Sequence, residues 1–167
     1  MDEFTEIFQR ATEAIAPDYF HLPVHHAAAL YRERVYCYEL YHQMRLRWPG
    51  NSPYRLNGEV DKRNHPDFEG EPKKKPDFIV HQPGTAENCV VMEVKAAGIA
   101  AREATKDLRT LALFTELARY RRPIYLIYGV RAGDDVATAQ RCLRDFRYDL
   151  PLELWIHEAP GTPAVRA

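Results

Sequence analysis

"KKKPDFIVHQPGTAENCVVMEVKAAG", Lys73 to Gly98, holds two apolar runs, and the second closes on Glu93-Val94-Lys95. PDFIVH and NCVVMEVK are rich in β-branched residues and are joined by QPGTAE, a loop of hairpin length containing Pro and Gly. The pattern predicts two antiparallel strands. The start of the first then lies beside the end of the second, so Asp77 falls near Glu93 and Lys95. Side chains two apart on a strand share a face. Glu93 and Lys95 therefore point one way, and Met92 and Val94 point the other way into the core. An acid and a base at a strand end are costly if buried without partners. Two carboxylates at a sheet edge suit Mg²⁺ or Mn²⁺, hard cations that keep waters and also bind phosphate.

The flanking segments extend this hairpin into an α/β fold. DEFTEIFQRATEAIA carries Phe4, Ile7, Phe8, Ala11 and Ile15 at helical spacing. Pro17 and Pro23 mark a loop. A long helix is predicted from His25 to Trp48, stopped by WPGNSPY. YRLNGEV reads as a strand and DKRNHPDFEGEPKKK as a polar loop. After Gly98, AAREATKDLRTLALFTELARY is a helix, RPIYLIYGV a short buried strand, DDVATAQRCLRDFRY a helix that Asp134 or Asp135 is able to cap, and PLELWIH the last strand. The order α-α-β-β-β-α-β-α-β predicts a mixed central sheet flanked by helices.

The 167 residues fit one domain spanning 1–167. With 46% hydrophobic and 28% charged residues, the composition is that of a folded chain rather than a disordered or fibrous one. A formal net charge of −1 tells against binding a polyanion through bulk charge, so any nucleic-acid contact has to come from local clusters. The acidic start MDEFTEIFQR lacks an apolar core of a secretory signal, and no apolar run has the length of a membrane span. Cys37, Cys89 and Cys142 form no metal-ligand spacing and no disulfide framework, which points to a reducing cytoplasm. Ser52 is the only serine and sits in a Pro-rich turn, so a serine nucleophile has no support. His21, His25 and His26 read as solvated histidines at the start of the long helix.

Asp77 followed by Glu93-Val94-Lys95, with Pro76 directly before Asp77, resembles the PD-(D/E)xK nuclease superfamily. The order of elements is similar to that family's restriction-endonuclease-like αβββαβ core, over roughly Leu30 to Gly129. The N-terminal helix and the C-terminal helix and strand would be additions. The resemblance implies Mg²⁺- or Mn²⁺-dependent hydrolysis of a nucleic-acid phosphodiester, with DNA favoured over RNA. It implies Asp77 and Glu93 as metal ligands, the Val94 backbone carbonyl as a third, and Lys95 acting on the attacking water. It also implies an acid on the first core helix, matched here to Glu39, with His42 and Gln43 on the same helical face. Lys62, Arg63, Lys73, Lys74 and Lys75 flank the motif in sequence and are candidate phosphate contacts, as are Lys106 and Arg109 on the next helix. Glu59 and Lys62 in NGEVDK either approach the same site from the first strand or form a polar strand end running into a loop, the second being the simpler reading. No helix-turn-helix or zinc finger is present, so specificity would come from a second copy, a partner protein or substrate shape. The rival reading keeps the fold as a module that binds nucleic acid or a partner protein, with cleavage weak or absent.

Overall fold

The structure, a computed structural model, describes residues 3–60, 68, 74–144 and 150–167. Helix α1 (Glu3–Glu13) is followed by a single turn, α2 (Pro17–Phe20), and a hairpin of β1 (Leu22–Val24) and β2 (Ala27–Leu30). Then come α3 (Glu33–Leu46), β3 (Arg55–Gly58), β4 (Phe78–His81), β5 (Asn88–Ala96) and α4 (Ala101–Leu117). The chain continues through β6 (Arg122–Tyr128), a 3-10 turn (Ala132–Asp135), α5 (Val136–Arg144), β7 (Glu153–His157) and β8 (Val165–Arg166).

The long helix predicted from His25 begins eight residues later. His26 takes a left-handed backbone (φ 57), which no α-helix accommodates. It turns the chain between Val24 and Ala27, and Leu22 pairs with Leu30. The three alanines of HHAAAL favour a helix intrinsically, yet they lie in β2, so tertiary context overrides propensity. Arg32 is still extended (φ −128, ψ 95), and Glu33 is the first helical residue.

Strands β3 to β8 form one six-stranded sheet in sequence order. The pairs β3–β4, β4–β5 and β7–β8 are antiparallel, whereas β5–β6 and β6–β7 are parallel. The parallel pairs need crossovers, which α4 and α5 provide. The mixed sheet flanked by helices agrees with the sequence pattern. The two-residue β8 was not foreseen; it is too short to carry a periodic signal.

The central strands are buried on both faces, as parallel strands are. Val90, Met92, Val94, Ile124 and Leu126 point to one face and pack under α1 and α3 through Phe8, Tyr36, Leu40 and Met44. Val91, Tyr125 and Ile127 point to the other and pack under α4 through Leu108, Leu111 and Phe114. Each fully buried side chain of this size contributes about 1.5–3 kcal/mol. Met92 and Val94 thus enter the core as the alternation requires, while Glu93 and Lys95 share the α4 face with Val91. Among the described residues, no helix is long and apolar enough to cross a membrane.

Candidate functional site

The β4–β5 ladder ends at Phe78, which stands opposite Met92. One residue further out, Asp77 replaces backbone with side chain. Its Oδ2 accepts a hydrogen bond from the Val94 N–H at 2.7 Å. The N–H and C=O of a strand residue point to the same side. The Val94 carbonyl therefore also faces the β4 side, at the open end of the ladder beside Asp77.

Glu93 is 8% exposed and reaches Asp77 closely enough for their carboxyl groups to hydrogen-bond. Burial raises the Asp77 pKa to about 6, with the Glu33 carboxylate adding to the rise and the Val94 N–H opposing it. Glu93 lies well above the ordinary carboxylate range because of burial first, then the charges of Asp77 and Asp107. Raised proton affinity on two adjacent acids is the pattern expected of a buried, crowded carboxylate pair.

Lys95 follows on the same strand face. Its Nζ lies 3.0 Å from Glu33 Oε2 and 3.4 Å from Asp107 Oδ2. Burial works to lower its pKa, but the Asp107 and Glu33 carboxylates outweigh it and hold the ammonium above its ordinary value. Asp107 is buried on α4 and also accepts a hydrogen bond from the Tyr125 hydroxyl at 3.4 Å. Burial raises the Asp107 pKa, with Lys95 acting in the opposite direction.

The structure thus brings Asp77, Glu93, Val94 and Lys95 together at one sheet end. It does not bring Glu39 there. Glu39 lies six residues beyond Glu33, roughly 120° round the helix at 3.6 residues per turn. Its Oε1 accepts a hydrogen bond from Gln43 Nε2 at 2.7 Å, an exchange within α3. The helix acid beside the strand motif is Glu33. A helix read from His25 to Trp48 carries Glu33 and Glu39 alike, and only the packing of α3 on the sheet decides which of the two meets Lys95. Asp107 was also missed, although a signal was present: it interrupts the apolar stripe Ala104, Leu108, Leu111 of α4.

Two cavities open on either side of this row. One, of about 480 Å³, lies between α3 and the β3–β4 edge and is lined by Glu33, Asp77 and Glu59, among others. Glu59 pairs with Arg34 at 3.1 Å there, so the strand end of NGEV does reach the site region. The other, of about 630 Å³, is lined by Lys74, Lys95, Arg102, Lys106 and Arg109, with Glu103 and Asp107 as its acids. Arg102, Lys106 and Arg109 are exposed on one face of α4. Lys74 joins them from the segment before β4. Lys75 is exposed, and Lys62, Arg63 and Lys73 lie outside the described residues.

Among the described residues, no group of three or more His, Cys, Asp and Glu side chains is arranged to hold a metal ion. Asp77 and Glu93 nevertheless offer hard oxygen donors, and their raised proton affinities mark a place where added positive charge is favourable. Mg²⁺ commonly needs only one or two protein carboxylates, its other ligands being waters and substrate phosphate. The pair therefore fits such an ion. No family model matches the chain, and no curated protein and no solved structure is similar to it.

Proposed function

We propose that the chain is a Mg²⁺- or Mn²⁺-dependent nuclease of PD-(D/E)xK type that hydrolyses phosphodiesters, DNA in preference to RNA. The observation that carries this reading is the meeting of Asp77 and Glu93 at the open end of the β4–β5 ladder. The run α3, β3, β4, β5, α4, β6 supports it, being the αβββαβ order of a restriction-endonuclease-like core. Asp77, Glu93 and the Val94 carbonyl would hold the cation, which when bound acidifies a water and neutralises phosphoryl charge. Lys95 orients the attacking water or stabilises charge on the phosphorus centre. Glu33, rather than Glu39, is the helix acid that holds Lys95 in position. The cationic face of α4, with Lys74, receives the phosphate backbone. The three free cysteines agree with a reducing cytoplasm as its compartment.

The test is cleavage of circular and linear DNA with Mg²⁺. Asp77→Asn and Glu93→Gln should each reduce it to background with the circular dichroism of the parent. Either variant cleaving at the parent rate overturns the assignment.

One observation favours the rival reading of a binding module with little or no cleavage: Lys95 is already engaged by two carboxylates, as a purely structural ion pair would be. Millimolar Mg²⁺ separates the two. An ion bound by the native state alone raises the melting temperature by mass action. The nuclease reading expects that rise and expects Glu93→Gln to lose it; the module reading expects neither.

A further inference from the structure

We propose that the cavity between α3 and the β3–β4 edge receives a nucleobase turned out of its stack, so that the substrate is DNA unpaired beside the cleaved phosphate. This deepens the nuclease reading and rests on it. Asp77 belongs to both the carboxylate pair and the cavity wall, so an occupant of the cavity lies next to the reacting centre. The volume of about 480 Å³ falls within the range of small-ligand sites. Tyr38, Tyr41 and Phe78 supply aromatic surface. The Tyr41 and Phe78 rings are nearly parallel, at 8° with centroids 6.4 Å apart, and form one wall. Tyr38 is 62% exposed at the opening, an aromatic ring left in water where a second flat ring could cover it.

The polar lining suits a base edge. Arg34, held by Glu59 at 3.1 Å, brings guanidinium donors to the lining, and the Glu33, Glu59 and Asp77 carboxylates are its acceptors. A paired base has its Watson–Crick edge occupied and both faces stacked, so it cannot enter. Extrusion is easiest from an already unpaired strand. The cationic cleft on the opposite side of the Glu33–Lys95 pair completes the arrangement. Rings on one side and cations on the other are the two components by which single strands are held.

Equilibrium binding of the full chain to a fluorescein-labelled 15-mer and to its duplex, in Ca²⁺ without Mg²⁺, tests this. The single strand should bind more tightly than the duplex. Tyr38→Ala should weaken single-strand binding about ten-fold, the loss of one base–aromatic stack. Tyr38→Phe, which keeps the ring, should bind as the parent does. The proposal is overturned if duplex and single strand bind alike, if Tyr38→Ala retains parental affinity, or if Tyr38→Phe loses as much as the alanine. Tyr38 is exposed, so neither variant removes core packing. Cleavage in Mg²⁺ is followed in parallel. A parent chain that binds the strand in this manner but cuts no DNA sinks the nuclease reading and leaves the base cavity standing.

Discussion

Asp77 and Glu93 face each other where burial disfavours charge on both, and this gives the metal-free protein a defined response to pH. The Asp77 pKa of about 6 lies above its ordinary 3.8. The folded state therefore binds the proton more tightly than the unfolded chain. Its contribution is fully present below pH ~4 and is lost as pH rises through about 6. Asp77→Asn removes that loss while keeping an oxygen for the Val94 N–H. The variant should be more stable than the parent at pH 7 by about 1–2 kcal/mol in EDTA, and equal or weaker at pH 4. Urea unfolding at the two pH values checks this, and the Val94 amide shift should titrate with the carboxylate that it contacts. Lys95→Ala acts in the other direction. It leaves Glu33 and Asp107 facing each other without their cation, at a cost of about 1–3 kcal/mol. It should abolish turnover but spare Mg²⁺-induced stabilisation. Lys95→Arg should recover the stability, and if it also recovers full activity, proton transfer by Lys95 is excluded.

The strand motif was legible in the sequence because its geometry is local. A hairpin and a period of two fix where Asp77, Glu93 and Lys95 stand, whatever surrounds them. Helix boundaries depended on a turn with no glycine, since His26 adopts a conformation that nothing in HHAAAL announces. The choice between Glu33 and Glu39 depended on how α3 packs against the sheet, a long-range contact that the sequence does not print. Asp135 shows the same limit. It reads as a helix cap, but its carboxylate accepts the N–H groups of Gly98 at 2.7 Å and Ile99 at 3.2 Å, across 37 and 36 residues. It fixes the link between β5 and α4. Asp135→Ala should lower stability by about 1 kcal/mol and reduce kcat, because the loop it holds joins Lys95 to Asp107. A kcat equal to that of the parent would show the loop to be irrelevant to the site. Gly129, just after β6, has φ 127, and a Cβ there would meet Ala97 Cβ at 3.0 Å and Tyr31 Cζ at 3.1 Å. Gly129→Ala combines backbone strain with a clash and should cost about 2 kcal/mol or more in a melting experiment.

Across the whole molecule, a second titration opposes the first. His157 is fully buried at the end of β7, its Nδ1 2.7 Å from the Tyr36 hydroxyl and its ring against Phe20. Burial lowers its pKa to about 4 from 6.5. The unfolded chain therefore holds the proton more tightly, and stability falls as pH drops from about 6.5 toward 4. Between pH 7 and pH 5 this should remove about 1–2 kcal/mol. In Asp77→Asn the fall with acid should be steeper than in the parent, because the opposing carboxylate has gone; a parallel pair of curves would refute the assignment. The Lys95 ion pairs carry a different consequence. Helix α3 covers one face of the sheet and α4 the other, and Lys95 holds the first turn of one and the second turn of the other round the sheet's end. It works as a clasp between layers that the sheet itself keeps apart. Unfastening it with Lys95→Met should speed hydrogen exchange near Glu33 and Asp107 together, on opposite sides of the protein. Any anion that drew the ammonium away would loosen both helices at once.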